Sequence, residues 1–174
     1  MKKEICLSKN KIYKGKILDL YCDDVLVEFN NHKAKREYIT PHDAVCILAK
    51  VDNKFIFVKQ FRYAINSEIL ELPAGKIDEN EKAIDAAIRE LKEETGYISL
   101  DMKSIGYFYP SCGNTSEKIY MFYSENLKLD KQEFDENENI ELVFLSLEEI
   151  KNYIKEGKIN DSKAFACLAY YLNY

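Results

Sequence analysis

The sequence has no long tract of Lys and Arg, only two histidines (His32 and His42), and five scattered cysteines with no C-x-x-C pair. Each absence excludes something. Two histidines cannot supply the usual zinc-ligand spacing. Cys6, Cys22, Cys46, Cys112 and Cys167 are odd in number and far apart, which fits reduced thiols of a cytoplasmic protein better than a disulfide framework. With a net charge of −5 and no basic cluster, the phosphate backbone of a nucleic acid is not an expected partner. No segment approaches the roughly eighteen apolar residues of a membrane span. The opening stretch MKKEICLSKNKIYKG is basic but lacks an apolar run of signal-peptide length. The cytoplasm is the expected location. The chain has no internal repeat and no low-complexity linker.

What is present is ordinary globular material. Hydrophobic residues make up 47% and charged residues 32% of 174, enough to bury a core in one domain, or in a domain with a small appendage. Residues 11–39 read as a set of short strands, from KIYKGKILDL to DDVLVEF. HDAVCILAKVDNKFIFVKQFRY reads as two strands around a tight turn at Asp52-Asn53. EILELPAG reads as a further strand, ended by Pro73 and Gly75. Then the period changes. Ala83, Ile84, Ala87, Ile88 and Leu91 recur at helical spacing between about Glu81 and Thr95, and Gly96 is a natural stop. SIGYFY, KIYMFYSENL and IELVFL read as strands. Two helices close the chain, one opened by the Ser146/Glu149 capping box and one over SKAFACLAYYL. Strands, one helix, strands and helices make an α/β (α+β) layered domain rather than a regular βαβ repeat.

The stretch RELKEETG (89–96) crowds three acidic side chains. On a helix Glu90, Glu93 and Glu94 are three and four residues apart, and like charges so placed repel by a few tenths of a kcal/mol per pair. Glu90 and Glu94 flank the apolar stripe, so they point toward the junction of helix and sheet, where carboxylates need a positive partner. An oxygen-rich cluster suits a hard divalent cation, magnesium above all. Taken alone, the stretch also reads as a solvated acidic face braced by an Asp85–Arg89–Glu93 ladder.

Gly75, Glu81, Arg89, Glu90, Leu91, Glu93, Glu94 and Gly96 together spell G-x5-E-x7-R-E-L-x-E-E-x-G. This resembles the signature of the Nudix hydrolases, metal-dependent enzymes acting on nucleoside diphosphates linked to another moiety. Tyr97 departs from it, since an aliphatic residue is usual there. The resemblance implies a mixed β-sheet sandwiched between helices, with the signature as loop, helix and loop. It implies Glu90 and Glu94 as principal metal ligands, Glu93 assisting, and the carbonyl of Ala74 reaching a metal. Arg89 would hold a glutamate in place rather than touch substrate.

Beyond the signature, KGKIL, REYITPHDAV, VKQFRYA, LELPAGKID, GNTSEKIYMF and DENENIELVFLSLEEI follow the order of the ADP-ribose pyrophosphatase branch. That likeness runs from about Lys11 onward. It implies release of AMP and ribose 5-phosphate from ADP-ribose, with Mg2+ as cofactor and Mn2+ as a possible substitute. Arg62 is then a substrate contact, since a guanidinium is a rigid fork for a diphosphate. Arg36, Glu37 and Glu117 are further substrate candidates, although each also reads as an ordinary surface charge. Cys112 departs from the branch pattern. In the acidic stretch DENEN, Glu138 is the candidate base or further ligand, with Glu136 in reserve and Glu93 as the helix alternative. Residues 1–40 would form a small N-terminal β subdomain that joins a homodimer and completes the substrate pocket, and residues 41–174 the hydrolase domain. The signature reads only metal and diphosphate. A sugar nucleotide such as GDP-mannose, a dinucleotide, or a non-catalytic nucleotide-sensing role therefore stays open, although none of the metal glutamates is missing.

Overall fold

In the computed structural model, which describes residues 3–130 and 139–173, the chain divides into two units. One is Met1–His42 with Tyr109–Lys118, and the other is Asp43–Phe108 with Ile119–Tyr174. The first unit is a four-stranded antiparallel sheet of β1 (Glu4–Ser8), β2 (Lys11–Lys14), β3 (Leu18–Val27) and β4 (His32–Pro41). β4 pairs with β3 along its whole length, from Leu18↔Pro41 to Val27↔His32, while β1 and β2 share the other edge. Sequence patterning suggested short strands from residue 11 on. The structure instead joins residues 18–27 into one ten-residue strand and adds β1 before it.

Cross-strand pairing explains the long register. Tyr21 and Tyr38 face each other and stack at 5.3 Å between ring centroids. The buried carboxylate of Asp23 accepts from the Tyr38 hydroxyl at 2.8 Å and from the Asn10 amide at 2.9 Å. Burial, then the bond to Asp23, pushes the Tyr38 phenol up to about 12. Residues 109–118 belong to this unit through the backbone of Ile39, which donates to Asn114 O and accepts from Ser116 N–H.

The second unit is organised by β5 (Ala44–Val51), whose side chains alternate between two buried faces. Val45, Ile47 and Ala49 pack with Ala86, Ala87 and Leu91 of α1 (Ala83–Thr95). Cys46 and Leu48 pack with Ile150 of α2 (Leu147–Lys155) and with Ala164, Cys167 and Leu168 of α3 (Ser162–Asn173). β6 (Lys54–Arg62) repeats the pattern, with Ile56 on the first face and Phe55 and Phe57 on the second. A sheet covered on both faces by helices needs such apolar runs, and this is the mixed α+β sandwich expected.

β5 pairs in parallel with β11 (Ile119–Ser124), which pairs with β10 (Lys103–Phe108). On its other side the order continues through β6 to β13 (Glu141–Leu145), with β7 (Ser67–Glu71) on β6 and β8 (Ala74–Lys76) on β5. β9 (Tyr97–Ser99) and β12 (Leu127–Leu129) form a separate two-stranded ladder. The β5–β6 turn is at Asp52-Asn53 as expected, with φ of 47° and 63°, the left-handed pair of a type I′ hairpin.

One expectation holds in part and one needs correction. The strand ends at Glu71, ahead of Pro73 as expected, but Gly75 lies in the next strand, β8, rather than at the end of β7. Proline has no N–H for a ladder, but the Pro73 carbonyl accepts from Ile47 N–H at 2.9 Å, and the chain then pairs Ala74 and Gly75 with Cys46 and Val45. The helix stripe is rotated from the one inferred. Ala86 is buried and Ile84 is 40% exposed, because the helix packs Ala86, Ala87 and Leu91 against β5. Gly96 stops α1 with φ of 74°. All five cysteines are free. Among the described residues no helix is long and apolar enough to cross a membrane.

The capping box of α2 is formed on both sides, Ser146 Oγ accepting from Glu149 N–H and the Glu149 carboxylate accepting from Ser146 N–H. Ser146→Ala should lower unfolding stability by about 1 kcal/mol, read as a shift in denaturant midpoint at constant slope.

Candidate active site

The loop before α1 and the helix itself meet at β8. Gly75 lies directly under Glu90: a Cβ added at residue 75 would sit 1.9 Å from Glu90 Cδ. A side chain at this position would displace the Glu90 carboxylate from its seat on β8, so the first position of the signature favours glycine. One residue earlier, Ala74 N–H donates to Glu94 Oε2 at 3.1 Å, and Glu94 is 3% exposed. The short strand β8 therefore seats two of the three glutamates.

Arg89 is the electrostatic centre of the motif. Its Nε and Nη2 form a fork with the two oxygens of Glu81, both at 3.0 Å. Nη1 donates to Glu90 Oε1 at 2.8 Å and to Glu93 Oε2 at 2.9 Å, and Nη2 donates to the Lys76 carbonyl at 3.0 Å. These five bonds use the full donor capacity of a guanidinium. The ladder inferred from spacing is half right: Glu93 is a partner, but the acid on the N-terminal side is Glu81, not Asp85. The fork with Glu81, acting against burial and joined by Glu90 and Glu93, holds the guanidinium charged far above any accessible pH. Arg89 in turn keeps the Glu81 carboxyl below its ordinary value, more than offsetting burial, with the Asp78 amide helping.

Glu90, Glu93 and Glu94 line one cavity of about 510 Å³ together with Ala74, Gly75, Lys76, Asp78, Arg89, Gln60 and Arg62. Arg62 ends β6. Its Nε donates to Glu71 Oε2 at 2.7 Å, and it remains 44% exposed. The structure thus brings Arg62, Ala74, Glu90, Glu93 and Glu94 to one cavity within the second unit. Arg36, Glu37 and Glu117 belong to the first unit. There Arg36 is exposed and pairs with Glu4, Nε to Oε2 at 2.8 Å. Glu37 is exposed on β4, and the Glu117 amide donates to Thr115 Oγ1 at 3.1 Å. Glu136 and Glu138 lie outside the described residues.

Sequence reading missed Gln60, Lys76, Asp78 and, above all, Glu71. The signal for Glu71 was its place inside the apolar run ILELP, where an acid that shares a strand with buried leucines requires a partner. Nothing in the sequence marked that partner.

Among the described residues no three acidic, thiol or imidazole side chains stand at metal-holding geometry. Glu90 and Glu93 accept from Arg89, and Glu94 accepts from the Ala74 amide. The donor set itself fits a hard divalent cation. Three carboxylates and a peptide carbonyl offer oxygen only, and Gly75 leaves the Glu90 carboxylate its place at the cavity wall. Glu90 and Glu94 with Ala74 would hold the ion, with Glu93 beside them.

A family model described as NUDIX domain matches residues 40–166. The chain is 38% identical to the ADP-ribose pyrophosphatase of Bacillus subtilis (strain 168), covering 96% of this chain and 91% of the relative. It is 35% identical to the methanol dehydrogenase activator of Bacillus methanolicus, with the same shares covered. An ADP-ribose pyrophosphatase of Escherichia coli (strain K12) is 30% identical over 93% of this chain and 84% of its own length. The crystal structure of an ADP compounds hydrolase superposes with a TM-score of 0.89 at 23% identity, covering 98% of this chain and 92% of that one.

The Glu81–Arg89 fork has a pH signature. Because the folded-state pKa of Glu81 lies below the ordinary value of 4.5, its contribution is complete above that pH and is lost as pH falls through the lowered pKa. Glu81→Gln should cost about 1–2 kcal/mol at neutral pH. The gap between mutant and wild-type stability curves should close below pH 4.5, measured by urea unfolding across an acid series.

Proposed function

The chain belongs to the NUDIX family, and from that membership we propose that it hydrolyses the diphosphate bond of ADP-ribose, releasing AMP and ribose 5-phosphate with a divalent cation bound. The observation that carries the reading is the wall of Glu90, Glu93 and Glu94, which shares one cavity with Arg62 and Gln60. The two relatives named ADP-ribose pyrophosphatase support the choice of substrate.

Magnesium, with manganese as substitute, would supply charge neutralisation of the diphosphate and a bound water of lowered pKa. The chain's own residues do the rest. Glu90 and Glu94 present anionic oxygens from a helix seated on β8, so the donors cannot drift apart. Arg62 offers its terminal nitrogens to phosphate oxygens and fixes the substrate's orientation. Arg89 keeps the acidic wall compact and makes no substrate contact, since its donors are already used. The proton of the attacking water is assigned to Glu138, with Glu136 in reserve and Glu93 as the acceptor on the helix. That assignment rests on sequence position and on the reach that general-base work requires. Arg36, Glu37 and Glu117 are proposed as contacts to the remainder of the substrate.

The same reading makes the protein a cytoplasmic homodimer whose N-terminal sheet takes part in association. The exposed Ile5, Leu7, Ile12 and Tyr13 on β1 and β2 support it. Sedimentation velocity checks the oligomeric state, and a monomer at micromolar concentration overturns that part alone.

The deciding experiment is a panel of ADP-ribose, GDP-mannose and dinucleoside diphosphates with magnesium, followed by phosphatase-coupled phosphate release. ADP-ribose should be turned over with the highest kcat/KM. Faster turnover of another member would move the substrate and leave the chemistry, whereas no turnover of any would end the hydrolase reading. Glu94→Gln should lower kcat by about a hundredfold or more and leave the metal-free Tm unchanged or higher, because one of three crowded charges is gone. Glu138→Gln should cost about a hundredfold in kcat, the scale of a lost general base, and Glu136→Gln much less.

A further inference from the structure

Arg62 is held by a chain of alternating charges that runs away from the cavity. Glu71 gives one oxygen to Arg62 Nε at 2.7 Å and the other to Lys163 Nζ at 2.9 Å. Lys163 Nζ also donates to Asp161 Oδ1 at 2.8 Å, and Asp161 Oδ2 accepts the Ala164 amide at 3.1 Å. The order is therefore Arg62 cation, Glu71 anion, Lys163 cation and Asp161 anion. The inner members are shielded, with side-chain exposures of 5% for Glu71, 15% for Lys163 and 7% for Asp161, while Arg62 is open to the cavity.

We propose that Lys163 and Asp161 are positioning residues that act through the buried carboxylate of Glu71 to fix the guanidinium of Arg62 for the substrate diphosphate. The inference rests on Arg62 being a substrate contact, as read above.

Three physical points carry it. First, a buried carboxylate with one exposed arginine for a partner would be free to follow that arginine as it moves. Lys163 occupies the second oxygen and pins Glu71 from behind. Second, Lys163 is pinned in turn. Asp161 caps the first turn of α3 through Ala164 N–H, so the ammonium is fixed relative to a helix packed on the β5 core. Third, the bond to Glu71 uses Nε of Arg62, which leaves the terminal nitrogens for the cavity. A fork held by its inner nitrogen loses less rotamer freedom on binding an anion. Burial lowers the Lys163 ammonium's affinity for its proton, but Asp161 and Glu71 more than compensate, and the group stays cationic.

A structural role alone would change stability and leave substrate recognition alone; a positioning role shows in KM and in coupling to Arg62. The test is steady-state kinetics on ADP-ribose with magnesium for Lys163→Met, Arg62→Ala and the double variant, with Tm measured for each. Lys163→Met should raise KM about tenfold with a smaller fall in kcat, and should change kcat/KM less than about twofold when Arg62 is already alanine. Lys163→Arg, which keeps the charge, should restore KM to within about threefold of wild type. If Lys163→Met does not fold, Asp161→Asn, which frees the ammonium from one side only, takes its place in the cycle with a smaller KM shift. Multiplying effects of the Arg62 and Lys163 changes would overturn the relay and leave Arg62's own role standing. An unchanged KM in Arg62→Ala would overturn the substrate role of Arg62, and the relay with it.

Discussion

One guanidinium sits among Glu81, Glu90 and Glu93, and the rest of the site depends on it. Three acids within five residues of one helix repel one another, and Glu94 is almost wholly out of water. Without a cation of its own, such a helix would splay its side chains or lift from the sheet. Arg89 answers with five donors in a fixed plane. Its fork on Glu81 ties the loop to the helix, its bond to the Lys76 carbonyl ties β8 to the helix, and its remaining nitrogen joins Glu90 to Glu93. A lysine could not do this, because a point charge with three donors has neither the reach nor the geometry.

The glycine of the signature is the steric counterpart of this electrostatic centre. Val45 pairs with Gly75, which places the strand edge where the helix must pass, and the carboxylate of Glu90 fills the volume a side chain would need. Sheet pairing, helix packing and charge placement therefore converge on the same few atoms. The alanines of α1 belong to the same constraint, since Ala86 and Ala87 let the helix lie close enough to β5 for Glu90 and Glu94 to reach β8.

The cationic side of the cavity is built on different logic. Arg89 is locked by neighbours on its own helix and loop. Arg62 stands at a strand end and is locked from a distance, by Glu71 on β7 and beyond it by Lys163 and Asp161 at the start of α3. The cavity thus gathers groups from β6, β8 and α1, with support reaching to the last helix. A cleft made this way keeps its charges at fixed separations because each charge is hydrogen-bonded to a rigid element.

Much of this was legible in the sequence. The spacing of Gly75, Glu81, Arg89, Glu90, Glu93 and Glu94 identified the motif, and helical periodicity placed the acids on neighbouring turns. The left-handed turn at Asp52-Asn53, the stop at Gly96 and the Ser146/Glu149 box are local, so the residue types themselves determined them. Where sequence reading erred, a distant partner decided the matter. Gly75 looked like the end of a strand and became part of β8 because β5 offered Val45 as a pairing partner. Ile84 looked buried and proved exposed because packing of Ala86, Ala87 and Leu91 on β5 set the rotation of the helix. The buried Glu71 called for a cation, yet Lys163 lies 92 residues further on and carries no local mark. Short-range preference is written in neighbouring residues; the pairing of buried charges is a property of the packed chain, because only packing removes the water that would otherwise satisfy each one alone.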